Sequence, residues 1–140
     1  MQKVFFDSDV IISAVLSTKG ASYLLTQHPN IEKLITNYSL VELQIVTNRI
    51  GLDKSKLDKI IQSSFIVKEL TDKFSVIQAR FERYVNDPYD THVIAGASIS
   101  ECSFLVTFNL KDYQVVKIKN ELNIIIITPG HLLQYLRSRG

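Results

Sequence analysis

Acidic side chains recur in this chain at the points where apolar segments end. Asp7 and Asp9 separate two apolar runs in "KVFFDSDVII", and later segments contribute four more acids: Glu42, Asp87, Asp90 and Asp112. A helix start needs at most one short polar cap, so Asp7, Asp90 and Asp112 are surplus to capping. Clustered carboxylates repel each other and raise one another's pKa unless a cation lies among them. The pattern therefore predicts a site for a hard divalent cation, Mg²⁺ or Mn²⁺.

Alternating strand and helix candidates would bring these acids together. Short apolar segments predict strands at "KVFF", "EKLITN", "FIVKEL", "SFLVTF" and "NIIIIT". Helices are predicted at "VIISAVLS", "ASYLLTQ", "SLVELQIVTNRI", "DKSKLDKIIQSS", "TDKFSVIQARFERYV" and "DTHVIAGASIS", the last rich in small residues that favour close packing on a sheet. This alternation indicates an α/β fold with a parallel sheet. Without a linker, a repeat or a low-complexity segment, residues 1–140 are predicted to form one domain.

The position of the acids on these elements is the main argument for a site. Each acid follows a predicted strand or opens a predicted helix, and so does Asn109, which follows "SFLVTF". In an open parallel sheet such positions share one edge, the carboxyl ends of the strands, where ligands bind at the topological switch point. Acids distant in sequence are therefore expected to converge there.

Helix capping is the alternative explanation for several of these residues. Ser39 and Glu42 fit a capping box, and Asp87 followed by proline fits an N-cap. Asp9 is expected to cap the first helix, and Asn109 is a candidate cap for the segment after "TF". Capping accounts for these residues singly, but it leaves the surplus acids unexplained.

Composition narrows the function classes. With 46% hydrophobic and 21% charged residues the chain is typical of a globular protein, and its formal net charge of +2 permits a nucleic-acid partner without requiring one. Its single cysteine, Cys102, excludes an intramolecular disulfide and is interpreted as a core residue. The three histidines, His28, His92 and His131, lack ligand-like spacing and are interpreted as surface or packing residues. No signal peptide or membrane span is expected, so a cytoplasmic location is predicted.

Five segments resemble the PIN domain family in order and spacing. They are "VFFDSDVIISAVLS", "SLVEL", "DPYDTHVIAGAS", "FLVTFNLKDY" and "IIIITPGHLL", and together they cover the chain from Lys3 to about Leu136. The chain is most similar to stand-alone prokaryotic members, the virulence-associated protein C (VapC)-like toxins of toxin-antitoxin modules. The resemblance implies a PIN-like central parallel sheet flanked by helices.

The resemblance also implies a ribonuclease that depends on Mg²⁺ or Mn²⁺. Asp7, Glu42 and Asp90 match the family's first three acids, with Asp7 as the central metal ligand. Asn109 stands where many relatives have aspartate, and Asp112 fits the acid of an "N-x-x-D-aromatic" variant, so either is a candidate fourth ligand. Supporting positions around the metal ligands are assigned to Ser8, Asp9, Asp87 and Thr107. Divalent ions held by carboxylates can activate water and stabilise charge on a phosphodiester.

Substrate and partner predictions complete this reading. Basic and aromatic residues near the acids are candidate RNA contacts, although a surface role for the basic residues and a packing role for the aromatic ones are favoured; these candidates are Lys19, Arg80, Arg83, Lys111, Tyr89 and Tyr113. The resemblance implies a cognate antitoxin and a homodimer, with the "SYLLTQ" and "ELQIVTNRI" helices as candidate surfaces.

Two alternatives from other function classes stay open. A non-catalytic PIN-fold RNA-binding protein is favoured if Asn109 marks a degenerate site. The "DSD" motif also resembles haloacid-dehalogenase-like phosphatases, but Val10-Ile11 replaces their glycine-threonine, and their downstream acidic pair is missing from this sequence.

Overall fold

The computed structural model describes residues 1–139 and is built on a sheet of five parallel strands. The strands are β1 (Gln2–Phe6), β2 (Ile31–Thr36), β3 (Phe65–Lys68), β4 (Phe104–Val106) and β5 (Ile125–Ile127). Their order across the sheet is β3-β2-β1-β4-β5, so the winding direction reverses between β1 and β4. This architecture confirms the predicted α/β, PIN-like fold and places its topological switch point at the end of β1.

Eight helices connect or flank the strands within the described residues. They are α1 (Ser8–Leu16), α2 (Ala21–Thr26), α3 (Asn37–Ile50), α4 (Lys54–Ser64), α5 (Phe74–Phe81), α6 (Thr91–Ile99), α7 (Val115–Leu122) and α8 (Pro129–Ser138). Short 3₁₀ turns cover Glu82–Tyr84, Pro88–Asp90 and Leu110–Asp112. None of these helices is long and apolar enough to cross a membrane.

The sheet is buried on both faces, as its nearly continuous apolar strands predict. Side chains alternate along β1, so Val4 and Phe6 join one core while Phe5 joins the other. The first core packs β1 against α1, α2, α4 and α8, and the second packs it against α5, α6 and α7. Cys102 lies buried in the second core, where burial raises the pKa of its thiol to about 12, so its interpretation as a core residue is confirmed.

One helix predicted from the sequence is too long, and two helices were missed. The helix predicted over "TDKFSVIQARFERYV" ends at Phe81 and gives way to the 3₁₀ turn Glu82–Tyr84, because Val85 leaves it to form a β-bridge with Tyr113. Helices α7 and α8 were not predicted at all. Only one residue of α7, Ile118, and three of α8 are buried, so most of the surface of both helices faces solvent.

The capping box of α3 also differs from its prediction. Thr36, at the end of β2, accepts a hydrogen bond from the backbone N–H of Ser39, and the Ser39 hydroxyl bonds back to the Thr36 N–H. The predicted Ser39–Glu42 box is therefore wrong, since α3 begins two residues earlier than the sequence pattern indicated. This shift leaves the Glu42 carboxylate free of capping.

Gly96 explains how α6 approaches the sheet so closely. A Cβ atom at this position would lie 2.5 Å from Cε2 of Phe5 and 2.7 Å from Cγ2 of Thr36. Both neighbours are fully buried and cannot move aside. The small-residue segment "AGAS" therefore does pack on the sheet as predicted, and it sets the depth at which α6 presents Asp90 at its start.

Gly96→Ala is expected to destabilise the fold by about 1–3 kcal/mol, because overpacking outweighs the roughly 1 kcal/mol gain in helix propensity. Urea unfolding of the two proteins measures the difference. Gly130→Ala in α8 is the matched control, since a Cβ there meets nothing within 4 Å. Equal stabilities for the wild type and Gly96→Ala would contradict the close approach of α6.

Candidate active site

Asp7 occupies the centre of the site, directly after β1. Its backbone N–H bonds to the carbonyl of Val106 at 3.0 Å, which ties it to the end of the neighbouring strand β4. Its Oδ1 accepts from the N–H of Ser8 at 2.9 Å. Its Oδ2 accepts from the Thr107 hydroxyl at 3.0 Å and the Tyr113 hydroxyl at 2.7 Å. Three segments of chain therefore fix this carboxylate.

Burial makes the ionised form of Asp7 costly. Desolvation raises its pKa above the ordinary value despite the hydrogen bonds from Tyr113 and Thr107, and the charge of Glu42 raises it further. The pKa of the Tyr113 hydroxyl is also raised, by burial and by the charge of Asp7, so it stays protonated and donates. Asp7 is thus a constrained acid whose negative charge calls for a counter-charge.

Asp9 does not cap α1, contrary to its prediction. The N-cap position belongs to Asp7, and Asp9 lies in the first turn. Its Oδ2 accepts from the N–H of Phe108 at 3.1 Å and from Nδ2 of Asn109 at 2.9 Å, which ties α1 to the loop after β4. Its Oδ1 is buried without a hydrogen-bond partner among the described residues. Burial and the charge of Asp7 raise its pKa to about 7.

Glu42 reaches the site from the second turn of α3. The Ser8 hydroxyl donates to its Oε1, and its Oε2 lies 3.6 Å from Nε2 of His92. Burial alone would raise its pKa, but the contacts from His92 and Ser8 together hold the pKa below its ordinary value. Glu42 is therefore ionised, and both of its oxygens are directed by neighbouring side chains.

Of Asp87 and Asp90, the first acts as a helix cap and the second does not. The Asp87 carboxylate caps the 3₁₀ turn by accepting from the N–H of Tyr89 at 3.0 Å, so its predicted capping role is confirmed. Asp90 stands at the N-cap position of α6, yet its side chain makes no capping hydrogen bond. Burial and then the charges of nearby acids raise the pKa of Asp90 to about 7; these acids are Asp7, Asp87, Asp112 and Glu42.

The loop after β4 brings Asp112 near Asp90. Asn86, just before the Asp87 turn, donates its backbone N–H to the carbonyl of Asp112 at 3.0 Å and its amide to the carbonyl of Lys111 at 2.6 Å. Asn109 is directed elsewhere, because its amide group donates to Asp9. Asn109 stands at the N-cap position of the turn Leu110–Asp112, as predicted, but its side chain makes no capping hydrogen bond there.

The donor set suits a hard divalent cation. Its atoms are carboxylate oxygens, the ligands that such ions prefer. The acids also raise one another's pKa, as like charges do when no cation lies between them. Within residues 1–139 no three acidic or histidine side chains already converge in a closed metal-binding arrangement. The hydrogen bonds to Asp7 and Glu42 hold these two carboxylates, and the unpartnered Oδ1 of Asp9 leaves a buried acceptor beside them. Residues and charge therefore fit a cation, with side-chain adjustment needed for ligation.

Two side chains of the site were assigned other roles from the sequence. Tyr113 is buried and bonds to Asp7, so it cannot stack on a base. His92 is a packing residue by its burial, as predicted, but it also faces Glu42. The signal for His92 was its place two residues after Asp90 at a helix start, which brings it to the same sheet edge.

The proposed RNA contacts differ in exposure. Tyr89 is 69% exposed beside Asp90, and its ring packs against that of Phe74 in a tilted arrangement with centroids 5.6 Å apart. Arg83 is engaged in an ion pair with Glu121, on the α7 side of the molecule. A groove of about 630 Å³ opens next to Glu42 and His92 and includes Tyr38, Phe74 and Tyr89 in its walls.

Comparison with protein-family models gives one match, to the family described as PIN domain, over residues 3–111. This match includes every acid of the site except Asp112, which lies one residue beyond it. No curated protein sequence matches the chain significantly.

Solved structures share the fold at low sequence identity. VapBC2 from Rickettsia felis, bound to a DNA fragment from its promoter, matches with a TM-score of 0.64 and 18% identity, covering 91% of this chain and 98% of that one. PAE2754 from Pyrobaculum aerophilum gives 0.61 and 16%, covering 98% of both chains. VapC20 from Mycobacterium tuberculosis, a sarcin-ricin-loop-cleaving toxin, gives 0.53 and 13%, covering 73% of this chain and 86% of that one. At these identities the likeness describes the fold.

Proposed function

Because the chain belongs to the PIN domain family, we propose that it is a divalent-metal-dependent ribonuclease that hydrolyses phosphodiester bonds in RNA, as the toxin of a toxin-antitoxin pair. Residues 1–140 form a single such domain in this proposal, acting in the cytoplasm. Support comes from the family match, the fold shared with VapC proteins and the acidic site.

One observation carries the proposal: a chain of contacts joins all the acid-bearing segments. Asp7 bonds to Thr107 and Tyr113 of the β4 side, and its neighbour Ser8 bonds to Glu42 of α3. Glu42 in turn faces His92, two residues from Asp90. Capping does not require such a network, whereas a shared metal site does.

The residues would divide the work as follows. A bound Mg²⁺ or Mn²⁺ supplies an activated water and charge stabilisation at the scissile phosphate. Asp7, Glu42, Asp90 and Asp112 would hold the ion, while Thr107, Tyr113 and Ser8 keep the carboxylates oriented. Asp9 would hold the Asn109 loop in place. Either Glu42 or Asp90 would accept the proton of the attacking water.

Asp112 is our choice for the fourth acid. Its charge contributes to the raised pKa of Asp90, whereas the amide of Asn109 is engaged with Asp9. Asp112→Asn should therefore reduce Mn²⁺ affinity, and Asn109→Ala should affect it less. Isothermal titration of both variants with Mn²⁺ decides between the two residues.

Phosphatase chemistry of the haloacid-dehalogenase type finds no support at Asp9. That mechanism needs the second aspartate as a free general acid, but the Oδ2 of Asp9 is held by Phe108 and Asn109. Non-catalytic RNA binding stays distinguishable by experiment, because it predicts binding without cleavage.

The direct test is incubation of the purified protein with single-stranded and duplex RNA. We expect cleavage of the single strand with Mg²⁺ or Mn²⁺ and complete loss with EDTA, restored by excess metal. Exposed Tyr89 and the exposed Lys111 beside the acids support contact with a flexible strand. RNA that is bound but stays intact under all these conditions would favour the non-catalytic alternative.

A homodimer and a cognate antitoxin complete the proposal. Val41 and Ile45, one helical turn apart on α3, are 60% and 57% exposed and support packing of a second copy there. The α2 candidate surface is weaker, because Ser22, Leu25 and Thr26 are buried. Light scattering should give the mass of a dimer for the wild type and the mass of a monomer for Ile45→Glu. Co-purification with the product of a neighbouring gene tests the antitoxin.

Metal should stabilise the protein more at high pH than at low pH. Asp9 and Asp90 have pKa values of about 7, above their ordinary 3.8, so the native state binds more protons than the unfolded state between about pH 4 and 7. Stability of the metal-free protein therefore falls as pH rises through this window. A divalent cation held by Asp90 and the other acids replaces the Asp90 proton, and it adds about 2.7 kcal/mol to the free energy of unfolding at 100 times its Kd.

Differential scanning fluorimetry at pH 5 and pH 8, with and without Mn²⁺ at matched ionic strength, measures this effect. With Mn²⁺ at 100 times its Kd, we expect a Tm increase of about 9 °C at pH 8 and a much smaller one at pH 5. Equal increases at both pH values would show that the ion binds outside the acidic site.

A further inference from the structure

His92 is the buried imidazole of the site, and it stands outside the proposed ligand set. It is 3% exposed on α6, and its Nε2 lies 3.6 Å from Oε2 of Glu42. Its ring stacks on Tyr38 with centroids 6.0 Å apart. Tyr38 is itself fixed, because its hydroxyl donates to the carbonyl of Asp72 at 2.6 Å. The imidazole therefore contacts a second fixed side chain besides Glu42.

The contacts of Glu42 join three elements of the site. Ser8, at the start of α1, donates to one carboxylate oxygen, and His92, in the first turn of α6, faces the other. Ser8 follows Asp7 and His92 lies two residues after Asp90. The two side chains that orient Glu42 thus come from the segments that carry the other two family acids.

The other ring nitrogen of His92 argues against a packing role alone. Nδ1 is buried and has no hydrogen-bond partner among the described residues. An apolar side chain of similar size would fill this space without leaving a buried polar atom unpaired. Burying the unpaired Nδ1 does not improve packing. The contact that explains a histidine here is therefore the one between its Nε2 and Glu42.

Building on the ribonuclease function proposed above, we propose that His92 is a positioning residue whose Nε2–H faces Oε2 of Glu42 at 3.6 Å and, with the hydrogen bond from Ser8, directs this carboxylate for metal binding. A donor at Nε2 leaves Nδ1 as the unprotonated nitrogen, which suits its lack of a donor partner. His92 touches neither substrate nor metal in this role.

Substituting His92 should therefore change the affinity for the metal and leave RNA binding nearly unchanged. Groups that orient metal ligands typically contribute about 10–100-fold to metal affinity or activity. His92→Leu should therefore weaken Mn²⁺ binding about 10–100-fold and lower kcat with KM for RNA nearly unchanged. His92→Gln, which keeps a side-chain N–H, should recover much of this loss. Both variants should remain folded, with a Tm near that of the wild type.

A double-mutant cycle with Glu42 separates positioning from a general structural effect. Once Glu42→Ala has removed the carboxylate, adding His92→Leu should cause no further loss of Mn²⁺ affinity, as measured by isothermal titration. Imidazole ¹⁵N chemical shifts of the metal-free protein give a second readout. They should show protonated Nε2 and unprotonated Nδ1 in the wild type, and this preference should weaken in Glu42→Ala.

The outcomes are distinct. Additive losses in the cycle, or unchanged Mn²⁺ affinity in folded His92→Leu, would overturn the positioning role while leaving the ribonuclease proposal intact. An Nδ1-protonated ring in the wild type would overturn it as well. A wild type that neither binds Mn²⁺ nor cleaves RNA would instead overturn the proposed function, and the positioning role with it.

Discussion

Asp7→Asn is expected to reduce RNA cleavage by about 10³-fold or more while the protein stays folded. Removing groups that only orient metal ligands already costs about 10–100-fold, and Asp7 is the carboxylate on which the β1, β4 and Tyr113 contacts converge. Asparagine keeps the shape of the side chain and an oxygen that can accept from Tyr113 or Thr107. It also removes a buried charge whose pKa is raised, so Tm should be unchanged or higher.

Initial cleavage rates of a labelled single-stranded RNA measure this effect at saturating Mn²⁺. Asp58→Asn is the matched control, because Asp58 lies on the surface of α4, where it pairs with Lys54 at 3.8 Å, away from the site. Its rate should equal that of the wild type. Cleavage by Asp7→Asn within a fewfold of the wild-type rate would remove Asp7 from the centre of the site.

Asp90→Asn is expected to lower activity and raise stability in the same protein. Burial and then the charges of neighbouring acids raise the pKa of Asp90 to about 7, so its ionised form destabilises the metal-free fold above that pH. Asparagine removes this cost, and the free energy of unfolding at pH 8 should increase. The same change removes a proposed ligand, so we expect cleavage to fall by at least about 10²-fold.

Asp87→Asn provides the comparison for Asp90, three residues away. Asp87 caps the turn before α6, and asparagine is an equally good capping residue, so activity should stay close to that of the wild type. Urea unfolding at pH 5 and pH 8 measures the free energy of unfolding of each variant. The increase caused by Asp90→Asn should be smaller at pH 5 than at pH 8. A loss of stability at pH 8 would show that the Asp90 carboxylate supports the metal-free fold rather than straining it.

Much of the fold could be predicted because apolar runs and helical spacing are local signals. All five predicted strands are present within a few residues of their predicted bounds. The placement of Asp7 at the end of β1 followed from the same patterns. Convergence of the acids followed from a general property of parallel sheets, which needs no knowledge of side-chain contacts.

Apart from the local errors at the α3 cap and at α7 and α8, the errors concern interactions between segments far apart in sequence. Asp9 is a residue type that often caps helices, but its hydrogen-bond partners, Phe108 and Asn109, are about 100 residues away in sequence. His92 looked like an isolated histidine because Glu42 is 50 positions earlier in the chain. Tyr113 was considered for base stacking, and only its burial against Asp7 excludes that. Such pairs depend on how α1, α6 and the loop after β4 meet.

The location of the metal tests the central proposal most directly. Crystals grown with Mn²⁺ allow the ion to be placed from its anomalous signal. We predict one or more peaks among the carboxylates of Asp7, Glu42, Asp90 and Asp112, and none there in Asp7→Asn crystals. Mn²⁺ at saturating concentration without a peak among these four acids would contradict the proposed site.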